Sequence, residues 1–345
     1  MAVLVTGGAG YIGSHMAWSL IDSGHDVIVL DRLSTGFRSA VAPKATFYCG
    51  DIGDRHLLRD IFSKHSIDAI FHFAGLVVVP DSLSNPLDYY NNNTVKACIL
   101  IEEAVRAKIG KFIFSSTAAV YGMPEADRPV RETDAVKPQS PYGQSKLMTE
   151  HILADAARAT QDFRYVALRY FNVAGGERKG RVGQSTRGAT HLIKVACEAA
   201  LGYRAGIDVY GTDYSTFDGT GVRDYIHVDD LVNAHAMALH YLESGGKSLV
   251  ANCGYGRGAS VLDVLAAVER VAGVKLAVTF QERRAGDCAC VIADPSVARE
   301  KLGWTSEHPG LDDIIATSLA WERRLHLKEV KVLDDMALRL AVGAY

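Results

Sequence analysis

Three glycines near the start of the chain place the strongest constraint on its fold. Gly7, Gly10 and Gly13 follow the apolar run Ala2–Val5 and open the segment Ile12–Ser23, whose apolar residues recur every four positions. A chain that passes this quickly from a strand to a helix needs a tight turn and a close strand–helix contact. Glycine permits both because it has no Cβ atom. The sequence therefore predicts a strand, a sharp turn and a helix over residues 2–23.

Short apolar runs alternate with helical patterns through the first half of the chain. Such runs are typical of strands buried on both faces of a sheet, and their alternation with helices predicts an α/β fold with a Rossmann-type, doubly wound parallel sheet. The first helix is expected to end at Gly24. The predicted strands are Ala2–Val5, Val27–Leu30, Thr46–Tyr48, Ala69–His72, Phe112–Ser115 and Tyr165–Leu168.

Beyond about residue 170 the pattern loosens, and the glycine-rich stretches Gly175–Gly188 and Gly211–Gly221 separate shorter elements. A chain of 345 residues, 48% of them hydrophobic, is long enough for two domains. We expect a nucleotide-binding domain over 1–170 and mainly a smaller α/β lobe over 171–345, with some chain returning to the first domain. Helices are predicted near 191–201, 230–243, 260–272 and 311–325, with a weak helical pattern over Lys328–Tyr345.

The glycine turn also predicts a dinucleotide site. Open backbone N–H groups at the start of a helix attract phosphate, and Asp31 ends the second strand 18 residues after Gly13. A carboxylate at that point accepts hydrogen bonds from an adenosine ribose and repels a 2′-phosphate, which favours NAD over NADP. Arg32 alone argues for NADP, and we interpret it as an adenine-stacking or surface residue. Asp51 and Ile52, after the third strand, are placed to reach the adenine.

Tyr142 and Lys146 are the predicted catalytic pair. They lie four residues apart in a predicted helix, with Ser140 as its N-cap and Pro141 as its first residue, so both side chains share one face. A phenol with an ordinary pKa of about 10 is a poor base, but a neighbouring ammonium group stabilises the phenolate. Thr117 follows a buried strand, where its hydroxyl could bond both a substrate and Tyr142.

Composition excludes several classes of partner. The formal net charge is −3, which offers no general field for nucleic acid or an anionic membrane. No stretch approaches the about 20 apolar residues of a membrane span, and the N-terminus lacks signal-peptide features, so we expect a cytoplasmic protein with a small-molecule substrate. The six cysteines are expected to be reduced thiols. Cys288 and Cys290 lack the spacing of a zinc site, and we expect no metal.

Together these motifs resemble the extended short-chain dehydrogenase/reductase family, and within it the UDP-glucose 4-epimerase group. The resemblance implies tightly bound NAD, reversible 4-epimerisation of UDP-hexoses by transient oxidation at C4, and a homodimer packed through helices near 92–107 and 142–158. It spans residues 1–324 and rests on VLVTGGAGYIGSH, HFAGL, PLDYYNNN, FSSTAAVYG, PQSPYGQSKLMTE, LRYFNVAG, DGTGVRDYIHVDDL, NCGYGRGASVLDV and RRAGD.

The resemblance also implies roles for individual residues. Tyr142 would take the proton of the sugar 4-hydroxyl, Lys146 would tune Tyr142 and hold the nicotinamide ribose, and Thr117 would help to relay the proton. The implied cofactor contacts are Gly7, Gly10, Tyr11, Ile12, Gly13, Asp31, Asp51, Ile52, Phe73, Ala74, Asn92, Lys146 and Phe171. The implied substrate contacts are Thr117, Tyr142, Asn172, Leu192, Tyr210, Arg223, Arg284, Asp287 and Val291.

The sequence departs from the family pattern at several positions. Val77 stands where many relatives have a lysine near the nicotinamide ribose, so one cofactor contact is missing or replaced. Thr190 and His191 replace an asparagine pair before the predicted contact Leu192. Val291 aligns with a position that is tyrosine in some relatives and closes the hexose pocket. Its smaller side chain predicts that N-acetylated UDP-hexoses are also accepted.

The segment RDYIHVDD is interpreted as mainly structural. Asp229 is expected to cap the helix that follows, with Tyr225 and Asp230 in supporting positions. His227 is expected to pack or to form a hydrogen bond rather than to bind a metal, because no second ligand stands at metal spacing.

Other functions remain open. A UDP-pentose 4-epimerase for UDP-arabinose and UDP-xylose would use the same residues Thr117, Tyr142 and Lys146. This alternative stays open because no residue named here is expected to contact the C6 hydroxymethyl group, which pentoses lack. A dehydratase or decarboxylase is disfavoured, since Thr117 is followed by two alanines and no carboxylate. A non-catalytic NAD-binding sensor is disfavoured because Thr117, Tyr142 and Lys146 are all present. A dehydrogenase that consumes its cofactor would have to exchange NAD in each cycle.

Overall fold

The structure is a computed structural model that describes residues 1–124, 128–284 and 287–342. Side chains are described up to residue 327. Within these ranges the strands are β1 (Ala2–Thr6), β2 (Asp26–Asp31), β3 (Thr46–Cys49), β4 (Ile67–His72), β5 (Lys111–Ser115), β6 (Arg164–Tyr170), β7 (Asn172–Ala174), β8 (Ile207–Tyr210), β9 (Val222–His227), β10 (Leu249–Cys253), β11 (Gly258–Ser260), β12 (Val278–Gln281) and β13 (Cys290–Val291).

The helices account for most of the remaining described chain. They are α1 (Tyr11–Asp22), α2 (Arg55–Lys64), α3 (Val79–Ser84), α4 (Pro86–Tyr89), α5 (Lys96–Arg106), α6 (Pro141–Ala159), α7 (Leu192–Ala200), α8 (Val228–Glu243), α9 (Val261–Ala272), α10 (Ser296–Leu302) and α11 (Leu311–Val342). Short 3₁₀ turns cover Arg38–Ala40 and Ala118–Val120, and Tyr90–Val95 is π-helical. In the part of the chain that the structure describes, no helix is long and apolar enough to cross a membrane.

The main sheet has seven parallel strands in the order β3–β2–β1–β4–β5–β6–β10. This order and direction are those of a doubly wound Rossmann-type sheet, which confirms the predicted fold class. The strand order reverses between β1 and β4, so the connections leave the sheet on opposite faces there. A crevice opens at the carboxyl ends of these two strands, which is where ligands bind in such sheets.

The two faces of the sheet are covered by separate cores. Val3 and Val5 pack into one core together with residues of α1 and α8, whereas Leu4 packs into the other with residues of α2 and α5. The alternation follows from the two-residue period of a strand. The strand predictions are therefore confirmed, with one correction for β3. This strand lies at the edge of the sheet, so it is partly exposed rather than buried on both faces.

The remaining strands form two smaller sheets. Strand β9 pairs antiparallel with β11 and parallel with β7 and β13, and β8 pairs with β12. Strand β10 and helix α8 instead join the main sheet, where α8 contacts β5 and β6. The helices predicted in this half are confirmed as α7, α8, α9 and α11. Of the predicted tail, residues 343–345 lie outside the described residues, and the division of the chain near residue 170 stays a prediction.

Helix ends test the local predictions. Ser140 caps α6 as predicted, because its hydroxyl accepts a hydrogen bond from the N–H of Gly143 at 3.2 Å. Gly24 follows α1 with a φ of 81°, which glycine adopts without strain. The prediction that Asp229 caps the next helix is wrong. His227 is the N-cap of α8, since its Nδ1 accepts from the N–H of Asp229 at 3.0 Å and α8 already begins at Val228.

Candidate active site

Three of the predicted catalytic side chains come together where β5 ends and α6 begins. The hydroxyl of Tyr142 is hydrogen-bonded with that of Thr117. One turn further along α6, Lys146 Nζ donates to the carbonyl oxygen of Ser115 at 2.9 Å. Tyr142 and Lys146 are 6% and 2% exposed, so both groups lie on the buried face of α6. A base, a cation and a hydroxyl thus share one enclosed space at the carboxyl edge of the sheet.

Burial governs the protonation of this group. It lowers the pKa of Lys146 to about 8, against the opposing charge of Glu150. It also raises the pKa of Tyr142, although the hydrogen bond from Thr117 acts in the other direction. In these surroundings Tyr142 is a phenol, and a positive charge brought beside it favours the phenolate.

The glycine turn is shaped for a close approach of phosphate. A Cβ atom at Gly13 would lie 2.2 Å from the carbonyl oxygen of Gly7, and one at Gly7 would lie 2.6 Å from the N atom of Ala74. Gly10 is the N-cap of α1 and leaves the first turn without a side-chain cap. The open N–H groups and the absence of Cβ atoms fit a dinucleotide pyrophosphate. These N–H groups belong to Tyr11, Ile12 and Gly13.

Asp31 lies beside the glycine turn at the carboxyl end of β2. Its carboxylate accepts hydrogen bonds from the N–H groups of Ala9 at 3.0 Å and Leu33 at 2.7 Å, so its orientation is fixed. On the other side of the turn, the hydroxyl of Tyr11 donates to the carbonyl of Gly175 at 2.6 Å. The turn is therefore anchored both to β2 and to the chain that follows β7.

Asp51 is held by two cations. Lys96 Nζ donates to its carboxylate at 2.5 Å and Arg32 at 3.1 Å. Burial tends to raise the pKa of Asp51, but the hydrogen bond from Lys96 helps to lower it overall. Arg32 is an exposed surface residue, as one of its two interpretations predicted, and its stacking on an adenine stays a prediction. Lys96 is a partner of Asp51 that sequence reasoning missed. Ile52 is buried beside this ion pair.

Phe73 and Ala74 follow β4 at the crevice. The N–H of Phe73 donates to the carbonyl of Thr6 at 3.0 Å, which continues the β1–β4 pairing to the glycine turn. The ring of Phe73 packs against His235 of α8 at 4.8 Å. Asn92, the third predicted contact in this region, donates from its amide to the side chain of Asn93 at 3.0 Å.

Asn93 is a residue that the sequence reasoning missed. Its side chain accepts from the N–H of Leu76 at 2.8 Å and donates to the carbonyl of Leu76 at 2.9 Å and the hydroxyl of Ser145 at 3.1 Å. It thus joins the loop after β4 to the helix that carries Lys146. The sequence signal that could have identified Asn93 is the run of three asparagines. This run disfavours a regular helix and lies in the π-helical segment Tyr90–Val95.

Val291, a predicted substrate contact, and Phe171, a predicted cofactor contact, belong to one apolar cluster. Val291 of β13 pairs with Arg223 of β9 in the parallel ladder. The cluster also contains Leu147, the neighbour of Lys146, and Val120 from the 3₁₀ turn that follows Thr117. The structure therefore brings Val291 and Phe171 close to the two segments that carry the catalytic group.

The predicted diphosphate arginines have other partners in this structure. Arg223 donates to the carbonyl of its neighbour Val222 at 2.8 Å. The guanidinium of Arg284 stacks on the ring of Tyr210 at 3.7 Å, and Asp287 donates its N–H to the carbonyl of Arg284 at 3.3 Å. Arg223 and Arg284 thus have separate partners, and their convergence on one diphosphate stays a prediction.

Asn172 and Leu192 line a separate small cavity. Its walls also include Tyr225 and His191, and the ring of His191 is hydrogen-bonded with Gln184 at 2.9 Å. His191, one of the two departures from the family's asparagine pair, is therefore an ordered part of this wall.

Comparisons with known proteins agree with this geometry. The model of the NAD dependent epimerase/dehydratase family matches residues 3–254, which is well over half of the chain. The matched region contains the glycine turn, Thr117, Tyr142 and Lys146.

Curated relatives and solved structures extend the similarity over nearly the whole chain. The chain is 52% identical to a UDP-glucose 4-epimerase of Azospirillum brasilense over 323 residues, covering 94% of this chain and 92% of the relative. A UDP-glucose 4-epimerase from Brucella ovis in complex with NAD has a TM-score of 0.89 and 43% identity, covering 92% and 97%. The UDP-Glc/GlcNAc 4-epimerase of Campylobacter jejuni has a TM-score of 0.82 and 43% identity, covering 94% and 99%. The chain therefore belongs to the NAD dependent epimerase/dehydratase family.

Proposed function

We propose that this chain interconverts UDP-glucose and UDP-galactose by reversible epimerisation at C4, with NAD retained through the cycle. The observation that carries the proposal is the enclosed group of Thr117, Tyr142 and Lys146 beside a glycine turn shaped for a dinucleotide. When bound, NAD supplies the hydride acceptor and donor for C4. The relatives that share this geometry are named UDP-glucose 4-epimerases.

The chain's own residues handle the proton. Tyr142, as the phenolate, accepts the proton of the sugar 4-hydroxyl, and the Lys146 ammonium stabilises that phenolate through its charge. Thr117 bonds the Tyr142 hydroxyl and passes the proton between it and the sugar. Once the 4-keto sugar has turned its other face to the site and C4 has regained the hydride that NAD would supply, Tyr142 returns a proton to the 4-oxygen, which completes the inversion. The enclosed position of Tyr142 keeps water from competing for the proton.

The arginines bind the diphosphate once a substrate enters. We assign this role to Arg223 and Arg284 because guanidinium groups form strong paired bonds with phosphate oxygens. Arg284 exchanges its stacking contact with Tyr210 for this bond, which leaves the ring of Tyr210 free to contact the uracil. Asn172, Leu192 and Asp287 complete the proposed UDP-binding surface.

Val291 sets the size of the proposed hexose pocket. Its side chain belongs to the apolar cluster that contains Phe171 and Leu147, and we infer that a larger group here would fill the space beside the sugar. We expect Val291→Tyr to lower turnover of UDP-GlcNAc at least tenfold more than turnover of UDP-glucose, which corresponds to about 1.4 kcal/mol of steric discrimination. Val291→Ile is the matched control and should keep both activities. Equal turnover of UDP-GlcNAc by the wild type and Val291→Tyr would contradict this assignment.

We also propose a homodimer. Apolar side chains are exposed just before and on α3, on α4, on the adjoining π-helical segment and on α6, which pack against one another, and a patch of this kind usually marks a protein contact. Val95 and Met148 fall within the predicted dimer helices 92–107 and 142–158. The members of the patch are Val78, Val79, Leu83, Leu87, Val95 and Met148. A cytoplasmic location stays a prediction.

The function is tested by incubating the purified chain with UDP-galactose and no added NAD, and measuring UDP-glucose by anion-exchange chromatography. We expect conversion to equilibrium, and loss of conversion in Tyr142→Phe. Parallel reactions contain UDP-GalNAc and UDP-L-arabinose. Turnover of UDP-L-arabinose without turnover of UDP-galactose would assign a UDP-pentose 4-epimerase instead. No turnover of any substrate by a protein that carries NAD would indicate a binding protein.

A further inference from the structure

A buried carboxylate lies directly behind the catalytic pair. Glu150 follows Tyr142 and Lys146 along the same face of α6, one turn beyond Lys146, and is 4% exposed. Its oxygens accept from the hydroxyl of Ser116 at 2.5 Å and from Arg169 at 2.6, 3.0 and 3.2 Å. The carboxylate is therefore fully bonded and fixed in one orientation. It does not reach into the space where Tyr142 meets Thr117.

The bond to Ser116 connects this carboxylate to both catalytic side chains. Ser116 stands between Ser115, whose carbonyl accepts from Lys146 Nζ, and Thr117, whose hydroxyl bonds Tyr142. Ser116 is fully buried, and its N–H donates to the carbonyl of Leu168 at 2.9 Å. One carboxylate thus holds the short segment that contacts both members of the pair.

The negative charge of Glu150 also affects the protonation of Lys146. Arg169 is 6% exposed and forms a buried ion pair with Glu150, whose carboxylate also lies one turn beyond Lys146 on α6. A buried ammonium group without a nearby anion is strongly unfavourable, so without Glu150 Lys146 would lose its proton more readily. The charge of Glu150 acts on Lys146 in the direction that keeps it protonated. Arg169 also donates to the hydroxyl of Tyr121 at 3.1 Å, which fixes its position.

The other ionisable groups near Lys146 do not supply a negative charge. His72 is neutral, because burial and the charge of Lys146 lower its pKa to about 3. Burial raises the pKa of Tyr170, which bonds the hydroxyl of Ser115. Among the described residues, His72 from β4 and Glu150 from α6 interact electrostatically with Lys146, whereas Tyr89 from α4 and Tyr170 from β6 interact with Tyr142. Arg169 from β6 is bonded to Glu150 and to Tyr121, which follows the 3₁₀ turn.

We propose that Glu150 is a positioning residue for the reaction: fixed in place by Arg169, it holds Ser116 between the two catalytic contacts and helps to keep Lys146 a cation beside Tyr142. This inference rests on the proposed roles of Tyr142 and Lys146. It assigns the Glu150–Arg169 pair to the chemistry of the site as well as to the stability of the fold.

The pH dependence of kcat tests the electrostatic role of Glu150. The quantity measured is the decline of kcat at high pH, called here the high-pH limb. Glu150→Gln removes the anion beside Lys146, so this limb should move to lower pH by about one unit. An unshifted limb in Glu150→Gln, or a limb shifted to higher pH, would overturn the proposal.

Two further variants separate the charge from the structural contribution. Ser116→Ala removes one bond to Glu150 without changing charge, and should lower kcat without moving the limb. Glu103→Gln removes another buried carboxylate, one bonded to Arg55 and Arg59 on the outer face of the sheet. It should lower the thermal midpoint while the pH profile of kcat stays that of the wild type. A shifted limb in Glu103→Gln would show that lost stability alone moves it, and would overturn the proposal.

Tyrosinate absorbance provides a readout that does not depend on turnover. The absorbance contributed by Tyr142 is obtained by subtracting the pH titration of Tyr142→Phe from that of each protein. The pH at which this contribution appears should differ between Glu150→Gln and the wild type. If Glu150→Gln fails to fold, Ser116→Ala carries the test, and a wild-type kcat in that variant overturns the proposal. If Tyr142→Phe keeps full turnover, the proposed function's site is wrong. If Tyr142→Phe is inactive while Glu150→Gln has the wild-type profile, only this inference fails.

Discussion

At the scale of single residues, Tyr142 carries the proposed chemistry. Its hydroxyl is buried and bonded with Thr117, so Tyr142→Phe removes the proton acceptor without opening a cavity. We expect kcat for UDP-galactose to fall by about 10²- to 10⁴-fold with little change in thermal midpoint. Tyr241→Phe, in a half-buried tyrosine of α8 outside the site, is the control and should keep its activity. A Tyr142→Phe variant with near-normal kcat would contradict the assignment.

Lys146 gives the reaction a dependence on pH. Its pKa is lowered to about 8, so Lys146 is a cation below that pH and becomes neutral above it. Because the cation is the form that stabilises the Tyr142 phenolate, kcat/KM should decline as the pH rises through about 8. The measurement is the pH profile of kcat/KM for UDP-galactose. A rate that keeps rising well above that pH would show that the ammonium form is not required.

The residues that were predicted from sequence share one property, which is local spacing. Tyr142 and Lys146 were recognised because they are four residues apart, and Thr117 because it follows an apolar run. Asn93 and Glu150 were missed because their partners are distant in sequence. Ser116 lies 34 residues from Glu150 along the chain. Contacts of this kind depend on which strand ends the fold brings beside α6, and no local pattern records them.

At the scale of elements, the glycine turn and α1 form the cofactor cradle. A Cβ atom at Gly13 would meet the Gly7 carbonyl at 2.2 Å, so Gly13→Ala must push the helix away from β1. We expect the purified variant to lose most of its bound NAD, measured by chromatography after denaturation. Gly24→Ala is the matched control, because its φ of 81° costs about 1 kcal/mol but no atom lies near its Cβ. Gly13→Ala with full NAD content would contradict the cradle.

The elements differ in how well the sequence predicted them. Strands β1, β2, β4, β5 and β6 were predicted because burial on both faces demands continuous apolar runs. The short strands β7, β11 and β13 have two or three residues each, too few to show a period, and they exist because they pair with β9. The cap of α8 was misplaced because a histidine ring nitrogen took the position expected for a carboxylate.

At the scale of the whole molecule, the exposed apolar patch predicts a dimer. Leu87 is 78% exposed and Val95 is 51% exposed, so a charge at either position should be tolerated by the monomer but not by a packed interface. We expect Leu87→Glu and Val95→Glu to shift the mass from dimer to monomer in light scattering coupled to size exclusion. Phe280→Glu, 58% exposed on β12, is the control and should remain dimeric. A monomeric wild-type protein would contradict the prediction.

The central claim is that the whole molecule retains its cofactor and returns the same hydrogen to the same sugar carbon. It is tested most directly by incubating the purified chain, without added NAD, with UDP-galactose that carries deuterium at C4, and analysing the UDP-glucose formed by NMR and mass spectrometry. The account predicts that UDP-glucose forms and keeps its deuterium at C4. Loss of the deuterium to solvent, its transfer to unlabelled UDP-galactose in the same tube, or no conversion without added NAD would contradict it.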